Sequence, residues 1–171
     1  MDYIKGGEMY NIGDRIEAQG LGIIDGQGKF LSPGLIDMHV HVWDRFALGL
    51  YLANGITTVR NLWGLPLHLR IKNEIANDEL IGPMFYTSSP KLTGSEDLGD
   101  DKVQIQSVEQ ARELIQDYEK RGYDFIKTYA GITEPVFEAI VEEAASLDLD
   151  IVSHPSFQMT YSKNFIDQVA T

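Results

Sequence analysis

The sequence PGLIDMHVH, residues 33–41, lies where the residue pattern of this chain changes. In a β-strand, residues two apart project from the same face, so Asp37, His39 and His41 share one face. The residues between them are apolar, as expected for a face covered by helices. Two imidazoles at this spacing can bind one metal ion. The alternative is that both histidines are partly buried and hydrogen-bonded to neighbouring groups.

Residues 1–33 contain short β-like stretches, at 12–17, 22–25 and 29–31, separated by glycines. This punctuation is typical of small antiparallel structure. Residues 34–171 have a different pattern, in which apolar strands alternate with amphipathic helices. The predicted strands cover residues 35–42, 57–62, 84–88, 124–129 and 150–154. Five strands separated by helices predict an α/β fold with a parallel sheet.

The helices are marked by their end signals. Ser107 begins the sequence SVEQ, a capping box in which Gln110 is expected to reach back to the cap, and Gly122 ends that helix. Thr133 is predicted to cap the next helix, with Pro135 in its first turn. Residues 90–103 are predicted to be a long loop at the carboxyl end of the third strand, where such loops shape a pocket.

Two further polar residues end predicted strands, Lys127 in DFIKTY and His154 in DIVSHP. Catalytic groups of (β/α) barrels come from the carboxyl ends of several strands. A lysine on an inner strand face is costly unless it is paired or chemically altered. The alternatives are a side chain that reaches solvent or one that forms an ion pair. His68, in LPLHLRIKNE, is predicted to be an exposed helical residue without a functional role.

The composition excludes several classes of function. A formal net charge of −12 disfavours nucleic acid and anionic membrane surfaces as partners. The absence of cysteine excludes disulfides, iron–sulfur clusters and thiolate metal sites. No apolar run approaches the ~20 residues of a membrane span, and the first residues lack the features of a signal peptide. We therefore expect a cytoplasmic protein.

The motifs together resemble a known family. PGLIDMHVH followed by NGITTVRN, residues 54–61, looks like the opening of a member of the amidohydrolase superfamily. GDRIEAQG and IIDGQGKFLSPG, within residues 13–34, are similar to the small β-sandwich segment that precedes the barrel in many members. DFIKTY and DIVSHP resemble the branch of imidazolonepropionase-like enzymes and Xaa-Pro dipeptidases.

The resemblance implies a partial (β/α)8 TIM-like barrel of about five βα units over residues 34–171. It implies one or two divalent ions, with zinc expected, held first by His39 and His41. Lys127, carbamylated by CO₂, would bridge the ions, and His154 would bind the second ion. Asp37 would support a ligand rather than bind metal. The implied reaction is hydrolysis of an amide, cyclic amide or peptide C–N bond in a small-molecule or dipeptide substrate by a metal-activated water.

Departures from the family pattern leave three interpretations open. The general-base aspartate and another histidine are expected beyond Thr171, and Asn61 stands where many relatives have aspartate. The chain is therefore part of a hydrolase, or a truncated metal-binding fragment or pseudoenzyme, or a five-stranded α/β domain whose histidines are structural. We expect no turnover from residues 1–171 alone. Open strand edges favour self-association into a homo-oligomer.

Overall fold

The computed structural model describes residues 26–95 and 102–154, together with residue 20 and two short strands near the amino terminus. The chain divides into two compact units, Met1–Pro33 and Gly34–Thr171. In the first unit, β1 (Tyr3–Lys5) and β2 (Glu8–Asn11) pair antiparallel. The predicted β stretches at 12–17 and 22–25 lie outside the described residues. The predicted strand at 29–31 is wrong, because these residues follow a turn in which the Lys29 amide donates to Gly26 O.

The second unit is α/β, with helices between parallel strands. In chain order its elements are β3 (Leu35–Val40), α1 (Phe46–Ala53), β4 (Ile56–Asn61), α2 (Pro66–Ala76), β5 (Met84–Thr87), β6 (Lys91–Thr93), β7 (Lys102–Gln104), α3 (Val108–Arg121), β8 (Phe125–Thr128), α4 (Glu134–Ser146) and β9 (Asp150–Ser153). The five strands expected from the sequence are β3, β4, β5, β8 and β9. Their observed ends lie within two residues of the predicted ones.

These five strands lie side by side in chain order. β3, β4 and β5 form one parallel sheet, and β8 pairs parallel with β9 in a second sheet. A parallel bridge between Ser88 and Phe125 joins the two sheets. Within residues 26–95 and 102–154, β3 and β9 each pair on one side only, and the strands do not close into a barrel.

The predicted loop at 90–103 contains two strands, which corrects the sequence-based expectation. β6 pairs parallel with β7, and its Leu92 also pairs with Thr128 of β8. Pro90 has no amide proton and interrupts the ladder after β5, so the chain resumes pairing with β8 only at β6. Residues 96–101, between β6 and β7, lie outside the described residues.

The core lies on the outer face of the sheet, beneath the helices. One cluster joins the first strands to α1 and α2 and comprises Val40, Val42, Leu48, Val59, Ile71 and Phe85. The other joins α3 and α4 to β8 and β9, and includes one apolar face of each helix, Ala111, Ile115, Tyr118, Phe137, Ile140 and Ala144. Met38 shares the outer face of β3 but remains 52% exposed. Burial of each large apolar side chain contributes about 1.5–3 kcal/mol to folding.

The helix ends follow the predicted signals with one correction. Ser107 Oγ accepts from the Gln110 amide at 3.2 Å, and Gly122 ends α3 in the left-handed conformation at φ 87°. Gln110 Oε1, however, accepts from the Gln106 amide rather than from Ser107. Thr133 begins α4 without a side-chain cap hydrogen bond. No helix in the described part of the chain is long and apolar enough to cross a membrane.

Two glycines of the second unit should respond oppositely to alanine. A Cβ at Gly64 would overlap the backbone of Ser88, whereas a Cβ at Gly49 in α1 would meet no neighbouring atom. Overpacking costs about 1–3 kcal/mol, so Gly64→Ala should lower the free energy of unfolding by at least that amount. Gly49→Ala should raise it by roughly 0.5–1 kcal/mol through helix propensity. Urea unfolding of both variants measures this, and an unaffected Gly64→Ala protein would contradict the close approach.

Candidate functional site

The inner face of β3 carries the histidine pair. His39 and His41 are exposed, and their ring centroids lie 5.5 Å apart with the planes tilted by 35°. Two imidazoles that bind one tetrahedral zinc ion through Zn–N bonds of about 2.1 Å have centroids roughly 5 Å apart. The spacing of this pair therefore suits a shared ion. Asp37 Oδ1 accepts from the His39 amide at 3.1 Å, so this carboxylate contacts the strand backbone.

The peptide of Val42, directly after the pair, is held by two buried side chains. Its amide donates to Asn61 Oδ1 at 3.0 Å, and its carbonyl lies 2.8 Å from His68 Nε2. The prediction that His68 is exposed is wrong, since its exposed fraction is 0%. Burial lowers its pKa, so the ring stays neutral. Its spacing of three and seven residues from Ile71 and Ile75 would have placed it on the buried face of α2.

Lys127 is buried in β8, with only 1% of its surface exposed. Its amide donates to Ser89 Oγ at 2.9 Å. Burial, and after it the nearby cations Lys91 and Arg60, lower the pKa of its amine to about 8. The side chain does not reach solvent, and within the described residues it forms no ion pair. Both effects favour the neutral amine over the ammonium ion.

His154 follows β9 and faces the other three predicted ligands. Its amide donates to Thr128 O at 3.2 Å, and its ring lies 4.7 Å from that of Tyr129. Partial burial is the largest cause that lowers the pKa of His154. The charges of Lys127, His39, Lys91 and His41 also lower it, in that order. The other three predicted ligands therefore each act electrostatically on His154. Within the part of the chain that the structure describes, no three histidine, cysteine, aspartate or glutamate side chains are grouped to hold a metal ion.

An aromatic rim with two cations beside it, Lys91 and Lys102, borders these residues in the described part of the chain, and the sequence reasoning missed it. The Trp63 ring lies 6.2 Å from that of His41 and 4.1 Å from that of Trp43. Lys91 Nζ lies 5.9 Å from the Trp63 ring centroid and 5.7 Å from that of Tyr129. Trp43, Trp63 and Tyr129 each follow the carboxyl end of a strand, and this position is the signal that could have identified them from the sequence. The rim offers aromatic faces and positive charge in a chain of net charge −12.

Comparison with known proteins gives similarity in fold and in one short stretch of sequence. No family model matches the chain. Over 39 residues the chain is 49% identical to N-acetylglucosamine-6-phosphate deacetylase of Lysinibacillus sphaericus, which is 23% of this chain and 10% of that protein. The structure of a bottromycin amidohydrolase matches with a TM-score of 0.69 and 26% identity, over 74% of this chain and 29% of that one. A prolidase solved with N-methylphosphonate-L-proline matches with a TM-score of 0.78 and 20% identity, over 99% of this chain and 53% of that one. The chain thus spans about half or less of these proteins.

Replacement of Lys127 by methionine should stabilise the metal-free protein in a pH-dependent way. The folded pKa of about 8 lies below the ordinary value of 10.5, so folding disfavours the ammonium ion. This penalty, at most about 3 kcal/mol, is complete below pH 8, shrinks between pH 8 and 10.5, and vanishes above that range. Denaturant unfolding of Lys127→Met and parent, with chelator and without bicarbonate, should show the gain at pH 7 decreasing toward pH 10.5.

The matched control for this change is Lys120→Met, at an exposed lysine of α3. Because this side chain is exposed, its removal should give no comparable gain in the free energy of unfolding at pH 7. A pH-independent effect of Lys127→Met would mean that the folded state accommodates the ammonium ion.

Proposed function

Since its structural neighbours are members of the amidohydrolase superfamily, we propose that this chain supplies the first five βα units of a (β/α)8 barrel in a metal-dependent hydrolase. The reaction would be cleavage of an amide, cyclic amide or peptide C–N bond. One observation carries the proposal: the histidine pair at the carboxyl end of β3 and the buried lysine on β8 both act electrostatically on His154, directly after β9. The open sides of β3 and β9 are where further strands of such a barrel would pair.

The donor set of the site fits divalent metal ions. His39 and His41 would hold one ion, a carbamylated Lys127 would bridge, and His154 would bind a second, with zinc as the expected metal. A bound ion would polarise the scissile carbonyl and lower the pKa of a water molecule. The ring spacing of the histidine pair and the exposure of both rings support this assignment.

Lys127 is suited to form the carbamate. Its neutral amine would attack the carbon of CO₂, form an N–C bond and release one proton, which leaves an anionic oxygen donor in place of an amine. Lys91 and Arg60, which oppose an ammonium ion at this position, would stabilise that anion. Burial would protect it from water. This environment would therefore stabilise the carbamate anion of Lys127 more than its ammonium cation.

The rim residues indicate the chemistry of the substrate. Lys91 provides positive charge beside the faces of Trp63 and Tyr129. This arrangement favours a small amide or dipeptide with a carboxylate and an apolar or cyclic group. The similarity to a prolidase solved with a proline derivative agrees with such a substrate.

A metal-binding protein without catalytic activity is the second candidate. It is favoured because no carboxylate of the described residues is grouped with the histidine pair to act as a general base. Metal binding would then occur without turnover. Hydrolysis assays of dipeptides and lactams by the whole protein, metal-loaded, distinguish the two candidates.

The histidine pair should be required for metal binding. We expect the double variant His39→Ala/His41→Ala to lose about one ion or more per chain, measured by elemental analysis of protein purified without chelator. Glu113→Ala, at an exposed carboxylate of α3, is the control and should keep the parent's metal content. Undiminished metal content in the double variant would mean that the ion binds elsewhere.

Metal loading should also depend on bicarbonate through Lys127. In the parent, added bicarbonate should increase the metal bound at equilibrium, because the carbamate supplies an anionic ligand. In Lys127→Met, bicarbonate should have no effect. Carbon-13 NMR with labelled bicarbonate should show a carbamate signal in the parent that Lys127→Met lacks. Equal bicarbonate dependence in both proteins would rule out the carbamate.

A further inference from the structure

We propose that Asn61 and His68 are positioning residues for His41. Together they hold the amide and the carbonyl of Val42, the residue that follows it. The inference rests on the proposed function, in which His41 is a metal ligand. Both act through the backbone at the end of β3.

The backbone ladder that holds β3 ends before His41. The last paired residue is Val40, opposite Asn61, and the Leu62 amide donates to Val40 O at 2.9 Å. His41 and Val42 lie beyond the strand. A backbone segment without ladder hydrogen bonds needs other partners to keep one conformation. Here these partners are side chains.

Asn61 supplies the partner for the Val42 amide and is itself fixed. Its Oδ1 accepts that amide, while its Nδ2 donates to Trp63 O at 2.9 Å and to Thr87 Oγ1 at 3.0 Å. Its exposed fraction is 0%. An ionised aspartate could accept from Val42 but could not donate to the Trp63 carbonyl. The amide therefore fits this position, where a carboxylate would leave a buried repulsion.

His68 supplies the partner for the Val42 carbonyl. The Leu65 amide donates to His68 Nδ1 at 3.0 Å, so the proton of the neutral ring is on Nε2, which donates to Val42 O. The ring is fully buried and stacks on Phe85, with centroids 6.2 Å apart and the planes inclined by 22°. Both ring nitrogens are thus used inside the fold. This excludes His68 as a metal ligand and gives it a structural link from α2 to the end of β3.

The two hydrogen bonds hold opposite sides of one residue. With its amide tied to β4 and its carbonyl tied to α2, Val42 cannot rotate without breaking one of them. The orientation of His41, one residue earlier, is fixed by the same restraint. The 5.5 Å spacing to the His39 ring depends on that orientation.

Zinc affinity of the whole protein, measured by chelator competition, tests this inference with four variants. His68→Phe removes the bond to Val42 O, and Asn61→Leu removes the bond to the Val42 amide. Loss of a residue that orients a metal ligand typically weakens metal binding about tenfold or more, and we expect this in both. His68→Gln should restore much of the affinity, because its side-chain amide can donate to Val42 O. Phe137→Leu, the matched control in the other core cluster, should keep the parent's affinity.

A second measurement does not need metal. In the metal-free protein, NMR signals of the His41 ring should shift in His68→Phe and in Asn61→Leu but not in Phe137→Leu. Hydrogen exchange of the Val42 amide should accelerate in Asn61→Leu. Denaturant unfolding of each variant separates these effects from loss of stability.

The outcomes separate this inference from the proposed function. Parent-like zinc affinity in folded His68→Phe and Asn61→Leu overturns the inference and leaves the function standing. An equal loss of affinity in Phe137→Leu also overturns it, because stability alone would explain the result. If the parent binds no zinc through the histidine pair, the proposed function fails. In that case, the expected changes in the His41 ring signals and in the Val42 amide exchange rate support the positioning role, and the absence of these changes overturns it.

Discussion

Hydrogen bonds between parallel strands hold β3, β4, β5, β8 and β9 side by side in chain order, and the geometry of the candidate site depends on that pairing. Because the strands are parallel, their carboxyl ends meet at one edge. Helices cover the outer face and bury the apolar clusters there. The inner face is left to polar groups, and residues far apart in the chain, such as His41 and His154, come to act on one another.

The charge distribution at this edge is opposite to that of the chain as a whole. The protein has a net charge of −12, yet the nearest charged groups that influence Lys127 are the cations Lys91 and Arg60. A buried ammonium ion there is unfavourable, and an apolar side chain would give a more stable fold. An anion at the same position would gain from both cations. The surroundings of Lys127 thus favour a negative charge over a positive one. The packing of the apolar core does not require this arrangement.

The strand ladder is interrupted at two places, and both adjoin proposed ligands. Beside β8, the Pro90 nitrogen carries no proton and cannot donate to the ladder. Next to it, Ser89 Oγ is the acceptor for the Lys127 amide. After Val40 the ladder of β3 ends, and side chains from β4 and α2 bind the Val42 peptide. In each case a buried polar side chain replaces a backbone partner. Irregular backbone of this kind can direct a side chain in ways that a regular strand cannot.

The sequence alone determined the five strands, the two amphipathic helices and the shared face of His39 and His41, because these features are local. A period of two residues identifies a strand face and a period of 3.6 identifies a helix face. The tertiary structure decided the hydrogen-bond partner of His68, since Val42 lies 26 residues away. It also decided that residues 91–93 form a strand, since that required β7 and β8 as neighbours. Periodicity encodes which face of an element is apolar, but not which distant group a polar side chain will meet. For that reason the cationic surroundings of Lys127 appeared only when the strands were assembled.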